Sequence, residues 1–355
     1  MSIGMKLYVH ELVQRLPRIA PDLEFTVVSN ATFLLARDNV RCITLSDAAA
    51  DNGGLAEQFW LPNVLRRSAP ALVHFMSMYA PRQWHLPHVY TIHDLTHLRY
   101  PQYFSWKVPW YYRAVVKPVA RSAAFVVTDA YATIGDLVEF LAVDAQRIRV
   151  VPLAAKPEFS LDDAMRAQRA EVARVRHGLF RPYFLYAGNH RPHKNLAVLI
   201  AAWKRLNADC DLVITEDGAV PEATTVAGVA ADSRRIVLTG RVSEEQLVGL
   251  YAGCVAAVQP SLYEGFGLSV LEAMAAGAAV IVARTPALVE VAGQAALTFS
   301  AQDAGALAEA MKDLLDDERS RDLLRAEGRA RAREFSWDAT ARQTAGIYRE
   351  ALARA

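Results

Sequence analysis

The sequence predicts an α/β protein with two doubly wound parallel-sheet domains. Short runs of β-branched and aromatic residues alternate with helical stretches from one end of the chain to the other, which is the pattern of parallel strands joined by helices. The chain has 355 residues, and a single core rarely grows past roughly 250–300. Pro152 and Pro157 interrupt the alternation midway, so a domain boundary is predicted between 152 and 159.

Each half of the chain contains six predicted strands. Those of the first half are Phe25–Val28, Val40–Leu45, Ala71–Phe75, Val89–Ile92, Ala124–Thr128 and Arg149–Val151. Helices are predicted near Tyr8–Arg18, Leu55–Arg67, Trp106–Arg121 and Ile134–Leu141. The second half has strands at Tyr183–Tyr186, Leu212–Thr215, Ile236–Leu238, Val255–Val258, Val280–Val282 and Ala296–Phe299. Amphipathic helices are predicted from 303 to 355.

Charge and hydropathy exclude several classes of protein. With 39 Lys+Arg and 38 Asp+Glu the formal charge is +1, which does not fit a strongly basic nucleic-acid binder. The longest apolar stretch, Ala273–Ala283, is shorter than the roughly 18–20 residues that span a bilayer. Charged residues between 6 and 18 do not fit a signal peptide, so a cytoplasmic location is expected. Cys42, Cys210 and Cys254 are predicted to be reduced core thiols.

A glycine-rich turn between a strand and a helix is the most informative segment. It begins at Pro260 and contains Gly265 and Gly267, which allow a ligand to approach the backbone, while the free N–H groups of the following helix attract an anion. Glu264 lies on the loop and Glu272 inside the helix, so the two carboxylates suit opposite ends of one long ligand, such as sugar hydroxyls and a ribose. Alternatively, this is a structural turn with two solvated glutamates.

A second strand-to-helix turn, between Tyr183 and Leu196, contains Arg191 and Lys194. Cations at this position would neutralise a diphosphate leaving group. The alternative is two surface cations on a loop. Taken together, the two turns predict one nucleotide-diphosphate site.

These residues resemble a known family. The seven-residue spacing of Glu264 and Glu272 and the Lys194-Asn195 pair are similar to the E-x7-E motif and the donor-phosphate lysine of family 4 glycosyltransferases. Phe335-Ser-Trp337 with Tyr348 resembles the closing helices of the same family. The resemblance implies a GT-B fold, in which two Rossmann-like domains face a cleft. It implies domains at 1–155 and 156–335, with the helix at 336–355 packing back toward the first domain.

The resemblance also implies roles for the site residues. Glu264 and the backbone of Gly265, Phe266, Gly267 and Leu268 would hold the transferred sugar, Glu272 would bind the ribose and Lys194 the phosphates. The family often places its phosphate arginine where this chain has Asn189. Arg191 is therefore the candidate, with Arg241 as the alternative. No cofactor and no metal are implied.

In the first half, His93 and Asp94 follow a predicted strand and resemble the His-Asp of family members, many of them bacterial mannosyltransferases. His93 would contact the donor sugar, and Asp94 would orient the loop or the ring. A rival hypothesis treats His93 and His97 as a zinc pair, although that motif requires a helix. Asp209 and Asp211 imitate a D-x-D metal motif but precede a strand, and are interpreted as a turn.

Two segments of the first half remain open to interpretation. The aromatic and basic stretch Arg99–Arg113 fits a membrane surface or a packed helix face equally well. The residues around Gly4 resemble the acceptor-side glycine loop and first helix that normally follow a first strand, and that strand is expected to be missing here.

The function predicted on this basis is retaining, metal-independent transfer of a hexose from a nucleotide diphosphate to a saccharide or lipid-linked saccharide during surface-polysaccharide assembly. The resemblance around His93 makes GDP-mannose the first donor hypothesis. A nucleotide-sugar epimerase and a noncatalytic nucleotide-sugar binder are the alternatives. The expected partners are the donor and the acceptor, with peripheral contact at the inner face of the cell membrane and no nucleic acid.

Overall fold

The structure, a computed structural model, describes residues 3–29, 33, 37–45, 58–215 and 235–354. Residues 55–57 of the predicted helix Leu55–Arg67 lie outside this range. The chain folds into two compact units, Met1–Leu153 with Ser336–Ala355, and Ala154–Phe335. All described strands in both units pair in parallel, which confirms the predicted fold class.

The first unit contains six described strands: β1 (Phe25–Ser29), β2 (Val40–Thr44), β3 (Val73–Phe75), β4 (His88–Thr91), β5 (Phe125–Thr128) and β6 (Ile148–Val150). They form two sheets, β1-β2 and β3-β4-β5-β6. All residues of β4 and β5 are buried, because helices cover both faces of an interior parallel strand.

The helices of the first unit are α1 (Ile3–Ile19), α2 (Leu61–Arg67), α3 (Thr96–Arg99), α4 (Lys107–Tyr111), α5 (Lys117–Ser122) and α6 (Ile134–Leu141). A π-helical turn, Tyr112–Val116, joins α4 to α5. The C-terminal helix, which we call α14 (Trp337–Ala353), also belongs to this unit. It packs against α1, where Arg18 donates two hydrogen bonds of 2.9 Å to the Asp338 carboxylate.

Two local predictions in this unit are wrong. Gly4 lies inside α1 rather than on a loop, because the buried stripe of Tyr8, Leu12 and Leu16 continues one helix whose start precedes Gly4. Cys42 is exposed on β2, whereas Cys210 and Cys254 are buried as predicted. Arg41, Cys42 and Thr44 of β2 are all exposed, so this strand is not covered on both faces as an interior parallel strand is.

The second unit is built on one six-stranded sheet in the order β12-β11-β10-β7-β8-β9. Its strands are β7 (Tyr183–Tyr186), β8 (Asp211–Ile214), β9 (Ile236–Leu238), β10 (Ala256–Gln259), β11 (Val280–Ala283) and β12 (Leu297–Phe299). The chain runs from β7 outward to β9 and then returns to place β10 on the other side of β7. The strand order therefore reverses between β7 and β10, and such a switch point is where doubly wound sheets bind ligands.

The helices of this unit are α7 (Asp163–His177), α8 (Leu196–Arg205), α9 (Glu244–Gly253), α10 (Leu268–Ala275), α11 (Pro286–Ala292), α12 (Ala304–Asp316) and α13 (Glu318–Ala332). Within the described ranges, no helix is long and apolar enough to cross a membrane.

Candidate active site

The loops that leave β7 and β10 meet at the switch point of the second unit. Leu262 N donates a 2.8 Å hydrogen bond to the His193 carbonyl. Asn195 Nδ2 donates to the Pro260 carbonyl at 3.0 Å and to the Ala301 carbonyl at 2.7 Å. The two turns singled out in the sequence thus form one connected surface.

Lys194 and Glu264 form a largely buried ion pair on this surface. Lys194 Nζ lies 2.7 and 2.8 Å from the two carboxylate oxygens of Glu264. Gln259 Nε2 donates to the same carboxylate at 2.9 Å and also to Ser261 Oγ at 2.9 Å. Burial raises the pKa of Glu264, but the Lys194 charge and hydrogen bonds from Lys194, Ser261 and Gln259 outweigh it and hold the pKa below its ordinary value. Glu264 is therefore an ionised acceptor at neutral pH.

The start of α10 follows directly from this carboxylate. Gly267 is the N-cap at φ +109°, and no described side chain caps the helix, so its first N–H groups are available to an anion. Phe266 is buried, with its ring edge-on to Phe335 at 5.9 Å between centroids. Leu268 is the first residue of α10. The role of this helix start as a ligand cradle, which the glycine spacing predicts, stays a prediction.

Glu272 lies in the second turn of α10, apart from the loop that carries Glu264. Burial raises its pKa to about 8, the charge of Lys156 opposes the rise, and the charge of Glu244 adds to it. Lys156 itself forms an ion pair with Glu244. The two carboxylates of the E-x7-E motif therefore have opposite pKa shifts, lowered for Glu264 and raised for Glu272.

The two candidate phosphate arginines occupy different loops. Arg191 is exposed, immediately before the short 3-10 turn Pro192–Lys194, so it shares the loop of Lys194. Its backbone N donates to Asn189 Oδ1 at 3.2 Å. Arg241 is exposed after β9, which is two strands away from β7 in the sheet. Sheet order therefore favours Arg191 over Arg241.

In the first unit, His93 and Asp94 follow β4, but they have different partners. His93 Nδ1 lies 2.8 Å from Asp129 Oδ2, whereas Asp94 Oδ1 accepts a 2.9 Å hydrogen bond from the Thr96 backbone N at the start of α3. Asp94 therefore orients the loop, and Asp129 orients the ring.

Sequence reasoning missed Asp129, Gln259 and Ser261. Gln259 is the last residue of β10, Ser261 comes two residues later, and Asp129 directly follows β5. A polar residue at the carboxyl end of a buried parallel strand was the signal that could have indicated them.

His97 of the zinc hypothesis, and Asp209 and Asp211 of the D-x-D hypothesis, all contact neighbouring protein groups. His97 Nδ1 lies 3.2 Å from Tyr112 Oη, and its ring packs on Phe104 at 4.3 Å. Asp209 pairs with Arg181 at 2.9 Å, and the buried Asp211 pairs with Arg235 at 3.2 Å. Asp211 begins β8 rather than lying in a turn. Over the described part of the chain, no cluster of three or more metal-ligating side chains is found.

Known families match both halves of the chain. Residues 3–159 match the model for "Glycosyltransferase Family 4", and residues 181–317 match the model for "Glycosyl transferases group 1". O-antigen chain mannosyltransferase B of Escherichia coli is 27% identical over 98% of this chain and 96% of its own length. The MMP alpha-(1->4)-mannosyltransferase of Mycolicibacterium hassiacum is 32% identical over 70% of this chain and 61% of its own.

Solved structures share the fold. Anabaena HepE in complex with UDP-glucose has a TM-score of 0.75 at 16% identity, covering 99% of this chain and 97% of its own. Sucrose-phosphate synthase from Thermosynechococcus elongatus has a TM-score of 0.74 at 21% identity, covering 98% and 94%. The shared fold and the two family matches together define a GT-B glycosyltransferase. With both halves matched, the chain belongs to the family 4 glycosyltransferases.

Proposed function

We propose that this chain is a retaining hexosyltransferase that uses a nucleotide diphosphate sugar, with GDP-mannose as the first donor to test. Its acceptor is a saccharide or lipid-linked saccharide of a surface polysaccharide. The observation that carries this proposal is the Lys194–Glu264 pair beside the uncapped start of α10. The mannosyltransferase names of the relatives support the choice of sugar.

In the proposed reaction, the bond between the sugar C1 and the diphosphate breaks, and a bond from C1 to the acceptor oxygen forms on the same face. The acceptor proton passes to a phosphate oxygen of the leaving group. Lys194, Arg191 and the first N–H groups of α10 stabilise the charge that develops on the diphosphate. No cofactor or metal takes part.

In this proposal the two glutamates bind different parts of the donor. Ionised Glu264 accepts hydrogen bonds from hydroxyls of the transferred sugar. Glu272 bonds the ribose, and in its protonated form it can donate as well as accept. His93 contacts the transferred sugar, as the family resemblance implies.

The first test is a panel of nucleotide diphosphates and their sugars followed by thermal shift, because a ligand at about 100 times its Kd adds roughly 2.7 kcal/mol of stability. Glu272→Ala should weaken binding of the intact donor and of the bare nucleotide diphosphate to the same extent. Glu309→Ala, which removes an exposed glutamate of α12, is the matched control. Loss of affinity for the intact donor alone would assign Glu272 to the sugar instead.

Product analysis then separates the classes of protein. Incubation with donor and saccharide acceptor should give a glycoside with the anomeric configuration of the donor. An epimer formed without acceptor would indicate an epimerase, and tight donor binding without turnover of any acceptor would indicate a noncatalytic binder.

We also propose that the helical run after Trp106 contacts an anionic membrane surface. Trp106 and Trp110 are 79% and 66% exposed, and Trp and Lys side chains favour the membrane interface. Further along the same run, Arg113, Lys117 and Arg121 line a groove of about 850 Å³. Their charges complement anionic headgroups.

Vesicle co-sedimentation tests this contact. Trp106→Ala with Trp110→Ala should reduce binding to phosphatidylglycerol vesicles, with little binding of either protein to phosphatidylcholine vesicles. Phe180→Ala removes an aromatic side chain of the second unit that is 70% exposed, and should leave binding unchanged. Equal sedimentation of all three proteins would contradict the proposal.

A further inference from the structure

A histidine–aspartate pair closes the carboxyl edge of the four-stranded sheet in the first unit. Thr91 of β4 is paired with Val127 of β5, so His93 and Asp129 each come two residues after the same rung. Parallel register therefore brings together two side chains that are 36 residues apart in sequence. The His93 side chain is 14% exposed and that of Asp129 is 3% exposed.

The His93 ring is held from a second side by an aromatic contact. Tyr8 of α1 stands edge-on to it, with ring centroids 4.8 Å apart and an interplanar angle of 85°. Tyr8 Oη is fixed in turn by Thr91 Oγ1 at 3.0 Å. Thr91 Oγ1 also lies 2.7 Å from His74 Nε2, and His74 Nδ1 lies 2.6 Å from Tyr348 Oη. A buried hydrogen-bonded chain from α14 thus fixes the position of Tyr8, and with it the ring.

One polar atom of the ring remains for a ligand. His93 Nε2 and Asp129 Oδ1 are buried, and neither has a hydrogen-bond partner of ordinary geometry within the described chain. Buried polar atoms are almost always paired with protein, water or ligand. Because Nδ1 is engaged by Asp129, Nε2 is the ring atom at which an oxygen can be bound.

We propose that Asp129 is a positioning residue: it keeps a proton on His93 Nδ1 and thereby directs Nε2 toward an oxygen of the transferred sugar. The protonation of His93 Nδ1 is argued from the geometry of this unit alone. The identity of the oxygen rests on the function proposed above.

Charge supports the same assignment. Burial lowers the pKa of His93, but the charge and hydrogen bond of Asp129 outweigh it and raise the pKa. The charge of Asp94 acts in the same direction, as does the backbone of Met76, which lies near the ring without meeting hydrogen-bond geometry at Nε2. A doubly protonated His93 donates from Nε2.

The other titratable groups that face the ring stay neutral. Burial and the His93 charge lower the pKa of His74 to about 3. Burial raises the pKa of Tyr8 above its ordinary value. Burial also raises the pKa of Asp129, and the charge and hydrogen bond of His93 oppose that rise. His93 and Asp129 therefore titrate as a coupled pair, next to the charge of Asp94.

Nitrogen NMR of ¹⁵N-histidine-labelled full-length protein tests the state of the ring without any substrate. The His93 signals are assigned by their loss in His93→Gln. Nδ1 of His93 should be protonated in the wild type, and Asp129→Asn should move its titration to lower pH. Asp136→Asn is the control, because Asp136 is a buried carboxylate of the same unit that pairs with Arg99. An unprotonated Nδ1 in the wild type, or a titration unmoved in Asp129→Asn, overturns the proposal.

Kinetics test the consequence for transfer. Asp129→Asn should lower kcat by about 10–100-fold, the usual effect of losing a charge-assisted hydrogen bond, and shift the alkaline limb of the pH profile to lower pH. Binding of the bare nucleotide diphosphate and the kcat of Asp136→Asn should not change. If Asp129→Asn does not fold, the protonation of His93 Nδ1 measured by NMR in the wild type tests the proposal. Absence of any transfer activity would contradict the proposed function while the NMR result stands by itself.

Discussion

Lys194 and Glu264 neutralise each other in a site that is largely shielded from water. Lys194 is both the partner of a buried carboxylate and the proposed electrostatic stabiliser of the departing diphosphate. A substitution at this residue therefore affects folding and chemistry together, and the two effects have to be measured separately.

Lys194→Ala should lower kcat much more than it raises the donor KM, because charge on the diphosphate grows in the transition state. It should also destabilise the fold by about 3 kcal/mol, since it leaves the Glu264 carboxylate buried without its partner. Adding Glu264→Gln should restore part of that stability but none of the turnover. Urea unfolding and steady-state kinetics measure the two effects. Unchanged turnover with only weaker donor binding would contradict the assignment.

The raised pKa of Glu272 predicts that the stability of the protein depends on pH. Its pKa is about 8 in the folded protein, against an ordinary value of 4.5. An acid with a raised pKa in the folded state contributes stability that is complete below about pH 4.5 and is lost as the pH rises through about 8. Urea unfolding between these limits should show a smaller decline in Glu272→Gln than in the wild type. The exposed Glu309→Gln should match the wild type, and equal declines in all three proteins would contradict a raised pKa of Glu272.

At the scale of elements, the start of α10 depends on one backbone conformation. Gly267 adopts φ +109°, a region that residues with a Cβ rarely enter. A Cβ there would also lie 2.9 Å from Leu288 Cδ2 of α11, a side-chain end that can move. The strain therefore comes mainly from the backbone rather than from packing.

Gly267→Ala should destabilise the protein by about 1–3 kcal/mol and weaken binding of the bare nucleotide diphosphate, because the first N–H groups of α10 would shift. Gly346 is the matched control. It lies exposed inside α14, and a Cβ there would meet nothing within 4 Å, so Gly346→Ala should stabilise by about 0.5–1 kcal/mol. Denaturant unfolding and nucleotide titration measure both variants, and equal stability changes would refute the backbone argument.

At the scale of the whole molecule, the proposed mechanism predicts catalysis without a divalent ion. Lys194, Arg191 and the α10 amides supply the positive charge and donors for the diphosphate. Transfer should survive dialysis followed by excess EDTA. A loss that magnesium or manganese restores would contradict the mechanism and reopen the case for Asp209 and Asp211. Stimulation below about twofold would not count, because divalent ions also screen charges around an anionic acceptor.

The strands of this protein could be predicted from local sequence, whereas the roles of the candidate site residues stay predictions. Each predicted strand is present with its ends shifted by no more than two residues. Fully buried strands such as β7 and β11 consist of uninterrupted apolar runs that are visible locally. The two turns that carry Lys194, Glu264 and Gly267 could be located for a related reason: their glycine spacing and charges are contiguous in the chain. The helical conformation of Gly4 was not predicted, because glycine is a poor helix former and marks turns and loops in local sequence.

Which distant side chains meet, and what charge they carry, depends on the assembled fold. Asp129 reaches His93 across 36 residues through the register of β4 and β5, and register is a property of the assembled sheet. Sheet order likewise separates Arg241 from the loop of Arg191. The two glutamates of one motif have opposite pKa shifts, because a pKa depends on burial and on neighbouring charges that the fold brings together.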